Sequence, residues 1–158
     1  MPGYDTARDT IARQLSTEYD KLTCLLGQLE HEKILLSEDD MASLMVLQDE
    51  KRESVSVLRD MAAQRDQVLN ASGTEGEDLW GRLAQIDPTG DIERNFRRNL
   101  ELARQCRDRN IENGWLVNRR EAFVTQSLAV LRAETGQGTY SASGRHGEVP
   151  GLRQLGSA

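Results

Sequence analysis

From Phe96 to Leu131, positions 96, 100, 103, 107, 110, 114, 117, 121, 124, 128 and 131 alternate in steps of four and three without a slip. Such spacing keeps one stripe of an α-helix turned toward a neighbour for roughly ten turns, and strands, with a period of two, cannot carry it. The chain is thereby committed to long helices packed side by side. The run passes through "ENGWLV", residues 112 to 117, although Asn113-Gly114 is a dipeptide of turns. A turn would reset the phase. The phase continues, so the spacing predicts a helix from about Asp91 to Glu134 with Gly114 on its inward seam. There the glycine costs about 1 kcal/mol relative to alanine; it either lets a neighbouring helix approach closely or marks a bend.

Two more helices precede it. Ile11, Leu15, Tyr19, Leu22, Leu25, Leu26 and Leu29 recur at helical steps and predict a first helix from about Asp5 to Lys33. Ser37 followed by Asp40 resembles a capping box, with the acidic "EDD" suited to a helix N-terminus, so a second helix is expected to begin there. Its apolar side is Met41, Leu44, Met45, Val55, Leu58, Ala62 and Leu69, and the glycine-bearing "NASGTEGE" ends it. A short amphipathic piece around "EDLWGRLAQI" leads to Asp87-Pro88, which breaks regular structure before the third long helix. The last 23 residues hold six glycines and Pro150, too little apolar surface for a core of their own. The expected architecture is all-α: an antiparallel bundle of three long helices with a short connecting helix over residues 1–135, then a flexible or docked tail over 136–158.

At about 1.5 Å per residue the third long helix outreaches the other two, and its end is expected to overhang them. Its character also changes at Gly114. Opposite the seam the earlier residues are polar, among them Arg94, Asn95, Glu101, Asp108 and Arg109, with Leu102 the exception. Beyond it they become Trp115, Leu116, Ala122, Phe123, Ala129 and Val130. The helix end is then apolar on two opposed faces, one carrying Val117, Val124, Leu128 and Leu131. Surface helices ordinarily have one such face. Another helix, the tail, a second copy or a partner must cover the other.

A net charge of −6 disfavours nucleic acid and anionic membrane surfaces as partners. Charge is also segregated: residues 1–88 carry 18 acidic and 9 basic side chains, residues 89–158 carry 8 and 11. The arginine-rich third helix is expected to pair with the two acidic ones. No apolar run is long enough to span a membrane, and the opening "MPGYDTARDT" has no signal-peptide pattern, so a cytoplasmic protein is expected. Cys24 and Cys106 lie far apart without a CxxC partner, which points to half-buried thiols and to neither disulfide nor zinc. The nearest approach to a Glu-x-x-His metal pair is Gln28 with His31, and glutamine lacks the anionic oxygen. No phosphate loop, dinucleotide fingerprint or nucleophile motif is present. Neither catalysis nor a cofactor nor a metal is expected.

Residues 110–144, "NIENGWLVNRREAFVTQSLAVLRAETGQGTYSASG", resemble the C-terminal signature of FlgN-type flagellar export chaperones: an Asn-Gly in the last helix, an apolar residue soon after, a Leu-rich helix end, then a Tyr and a Gly. Asn113, Gly114, Val117, Leu128, Leu131, Tyr140 and Gly144 occupy those places, and "LEHEKILLSEDDMASLMVLQDEKRESVSVL" is similar to the family's helical hairpin. The resemblance implies a cytosolic chaperone of the hook-filament junction proteins FlgK and FlgL, holding their terminal amphipathic helices apart and delivering them to the export gate, with the general escort protein of that apparatus. Trp115, Leu116, Phe123, Val130, Leu128, Leu131 and Tyr140 are the expected partner contacts. The rival expectation is a self-associating helical adaptor that uses the same stripe.

Overall fold

A computed structural model of the chain describes residues 2–74 and 78–141, with side chains for residues 3–74 and 78–132. Its elements are α1 (Pro2–Glu38), α2 (Met41–Ala71), α3 (Leu79–Ile86) and α4 (Asp91–Ser141). This is the expected all-α order of three long helices and a short connector. Two compact units divide the chain, residues 1–118 and 119–158. Helix α4 contributes residues 91–118 to the first; its residues 119–141 are the described part of the second.

Within the first unit α2 runs antiparallel to α1, since Glu18 pairs with Arg65 and Glu32 with Lys51. Helix α4 runs parallel to α1. Asn99, Cys106 and Asn113 donate in turn to the carbonyl oxygens of Leu15, Leu22 and Leu29, each partner 84 residues away. A constant offset over two heptads means that the two helices stay in phase, as coiled-coil strands do.

The first helix continues to Glu38, five residues past its expected end. Ser37 starts no helix: its hydroxyl donates back to the Ile34 carbonyl at 2.7 Å. The chain reverses at Asp39, which has φ of 64°, and Asp40 is the cap. Its carboxylate accepts from the Ser43 amide at 3.0 Å and from the Ser43 hydroxyl at 2.6 Å, and these bonds hold its pKa below the usual carboxylate range. At the α3–α4 corner Asp87 is buried and does a similar task, accepting from the Ile92 amide at 2.8 Å and the Thr89 amide at 3.2 Å. Gly90, with φ of 74°, makes the adjoining turn.

The core alternates apolar and polar layers. Ala7, Ile11, Leu15, Leu69, Leu83, Ile86, Ile92 and Phe96 fill one end, closed by α3, where Trp80 meets Phe96 edge-on at 5.5 Å. Leu25, Leu29 and Cys106 form a middle cluster, with Leu58 against it; Leu35, Leu44 and Leu47 form a third at the α1–α2 corner. Between the clusters lie Glu18, Arg65 and Asn99, then Glu32, Lys51 and Asn113.

Several expected core positions differ. The α1-facing line of α4 is Ile92, Phe96, Asn99, Cys106 and Asn113, so at three positions one heptad apart the buried residue precedes the expected 100, 107 and 114. Asn99 and Asn113 reach α1 acceptors there, which Leu100 and Gly114 cannot. On α2, Met41 and Met45 are exposed, at 54% and 70%, while Leu47 and Arg65 are buried. Cys24 is exposed and Cys106 buried, and burial pushes the Cys106 thiol pKa up.

Candidate partner interface

Helix α4 passes straight through Asn113-Gly114, and Asn113 is what makes that stretch a fixed point. Its side chain is buried and donates to the Leu29 carbonyl at 2.8 Å and to Glu32 Oε2 at 2.7 Å. Both neighbours are acceptors, so the amide nitrogen must face them. Glu32 also accepts from Lys51 at 2.8 and 2.9 Å and from Gln48. Burial alone would raise the Glu32 pKa; the hydrogen bonds from Lys51, Asn113 and Gln48, with the Lys51 charge, outweigh it and hold the carboxyl below its ordinary value.

Gly114 lies on the exposed side, and a β-carbon built there meets nothing within 4 Å. It is a helical residue, as expected, but among the described residues no helix approaches it closely. Val117 is half-buried. Trp115, 70% exposed, and Leu116, 39% exposed, complete the apolar surface of this stretch of the first unit.

In the second unit every large apolar side chain that is described is exposed: Phe123 at 69%, Val130 at 57%, Leu131 at 56%, Val124 at 48% and Leu128 at 47%. Val124, Leu128 and Leu131 had been expected to face inward on the bundle seam. They are exposed instead, and among the described residues of this segment no side chain, on either apolar face, is buried. Tyr140 lies on α4, though its side chain is outside the described residues, as is Gly144 altogether. The helix passes Gly136 and Gly138 to Ser141, beyond the expected end at Glu134.

A segment of this kind offers apolar area without directional chemistry, suited to taking up another amphipathic helix. The model of the FlgN protein family matches residues 1–148. The chain belongs to the FlgN family. FlgN proteins are flagellar export chaperones, a class whose partners are flagellar proteins. No curated protein and no solved structure matches the chain. Among the described residues no helix is long and apolar enough to cross a membrane, and no group of three or more His, Cys, Asp or Glu could hold a metal ion.

The paired polar layers were missed in the sequence, although their signal is present. Glu18 and Glu32, Arg65 and Lys51, and Asn99 and Asn113 are each separated by fourteen residues, two heptads apart on three helices.

Proposed function

We propose that this FlgN protein is a cytoplasmic export chaperone that binds the terminal amphipathic helices of FlgK and FlgL, keeps them from assembling early and delivers them to the export gate with the escort protein. The observation that carries the reading is the exposure of the large apolar side chains of α4 from Phe123 to Leu131 among the described residues. Isolated in water, such a segment is poorly placed, because its apolar area stays hydrated; a partner's apolar helix face would remove that area from solvent on both molecules. Trp115 and Leu116, exposed in the first unit, are proposed as contacts in their own right, and Tyr140 rests on the family motif alone.

Calorimetric titration against a C-terminal helix of a FlgK-type or FlgL-type protein tests this. Burying one such side chain is worth about 1.5–3 kcal/mol and an unpaired charge adds a further penalty, so Phe123→Asp should weaken the complex at least about tenfold. Because Phe123 and Val124 are both exposed, neither Phe123→Asp nor Val124→Asp should shift the melting temperature by more than a few degrees. Unchanged affinity in Phe123→Asp would move the binding surface elsewhere. Light scattering that showed a stable dimer of the free chain, dissolved by the same substitution, would favour the self-associating adaptor.

A further inference from the structure

Between α2 and α4 the first unit has an open apolar groove of about 440 Å³. Its floor is Leu22, Leu25 and Leu29 of α1 with Cys106 of α4, all buried. Its lips are Val55 and Leu100, 40% and 48% exposed. The polar layers stand at its two ends, with Glu18, Arg65 and Asn99 at one and Lys51 at the other. Fourteen residues of α1 separate Glu18 from Glu32, about 21 Å of helix and close to four turns. Three helices thus meet as two closed interfaces, α1 with α2 and α1 with α4, and one open one. A fourth helix laid along the opening would complete a four-helix arrangement around Leu25 and Leu58.

The charges beside the groove choose the occupant. Arg59 and Arg107 both line it and are exposed. Among the described residues Arg59 has no ion pair, and Arg107 is paired at 3.2 Å with its chain neighbour Asp108, on the exposed surface. Glu18 and Glu32, the acids at the layers, are already held by Arg65 and Lys51 at 2.7 and 2.8 Å. The groove therefore presents an aliphatic floor beside the Arg59 guanidinium, which has no ion pair among the described residues, with Arg107 held only by its exposed chain neighbour. We propose that it is a second docking surface, taking one partner helix of about four turns whose aliphatic face is flanked by carboxylates. This goes beyond the function proposed above, because it stands on the first unit alone. A second copy of the chain is a poor match: its exposed apolar segment, residues 119–132, carries three arginines against one glutamate.

The test uses the full chain with Cys24→Ser, so that Cys106 is the single thiol in the floor. Two labelled fourteen-residue helical peptides serve as probes, alike in their leucine face and differing in glutamate or lysine at the flanking positions. Fluorescence anisotropy should show the glutamate peptide binding at least tenfold tighter than the lysine peptide, and its saturation should slow maleimide alkylation of Cys106 at least fivefold. Leu100→Arg should abolish binding, and Arg59→Glu with Arg107→Glu should reverse the preference between peptides; all three side chains are exposed, so the melting curve should stay in place. Phe123→Asp should leave these results unchanged, which separates this surface from the one on the second unit. Equal affinity for both peptides, or binding that survives Leu100→Arg, would overturn the proposal. So would a dimer of the free chain that Leu100→Arg dissolves, which assigns the groove to a second copy. Deletion of residues 142–158 that by itself raised Cys106 alkylation fivefold would likewise overturn it, in favour of the chain's own C-terminal segment.

Discussion

Asn113 and Gly114 are chain neighbours on one helix, and their environments dictate opposite responses to substitution. Asn113 is buried between two acceptors, so Asn113→Leu keeps the volume and removes both donated bonds, leaving Glu32 with fewer partners. The cost should be about 1–3 kcal/mol. Gly114 has helical backbone and open space where a β-carbon would go, so Gly114→Ala should stabilise by up to about 1 kcal/mol. Urea denaturation of the two variants checks both signs, and destabilisation by alanine would mean that something packs on the Gly114 face. Glu32 adds a pH dependence. Its folded pKa is held below the ordinary 4.5, so the stability it contributes is complete above that value and is lost as pH falls from 4.5 through the folded value. Glu32→Gln should therefore lose less stability than the parent over that acid range; parallel curves would show that the carboxylate is not favoured in the folded state.

At the scale of elements, periodicity located all three long helices, the connector and the Asp87-Pro88 break, because backbone helix formation and the apolar stripe follow from local spacing. What it misplaced was which residue of each turn of α4 is buried. Leu100 reads as core and Asn99 as surface when polarity is the guide, yet Asn99 lies against the Leu15 carbonyl at 2.8 Å while Leu100 lines an open groove. A sequence displays a side chain's polarity but not the partner that satisfies it, and the two polar layers need partners from three helices at once. Buried pairs of this type contribute little net stability when intact, and removal of one member is costly. Lys51, 14% exposed at its side chain, covers Glu32, 4% exposed. Lys51→Met should therefore cost about 3 kcal/mol or more, whereas Lys51→Met combined with Glu32→Met should recover much of that loss. A double-mutant cycle by chemical denaturation measures the coupling, and simple additivity would mean that the pair does not act as a unit.

The molecule as a whole divides its labour between a unit with a layered, hydrogen-bonded core and a helical segment whose described side chains bury nothing. The sequence made the apolar character of that segment plain, down to Phe123, Val130, Leu128 and Leu131. It could not show that the apolar side chains of both faces are exposed among the described residues, since a stripe pairing with a neighbour and a stripe facing water have the same spacing. The physical consequence concerns stability. Helix formation alone is marginal for a segment of about fourteen residues in water, and most helical stability in proteins comes from packing an apolar face. None of residues 119–132 is buried among the described residues, so their amides should open locally at far lower free energy than those of residues 92–113, which are tied to α1 by Asn99, Cys106 and Asn113. Hydrogen exchange followed by mass spectrometry on the free chain should find residues 119–132 exchanging at least about a hundredfold faster than residues 92–113, on the scale of a difference near 3 kcal/mol in opening. Addition of the FlgK-type or FlgL-type helix should slow the fast segment and leave the slow one nearly unchanged, because binding stabilises only the state that presents the helix. Equal protection of the two stretches in the free chain would show that residues 119–132 are already covered, and the partner would then have to displace whatever covers them.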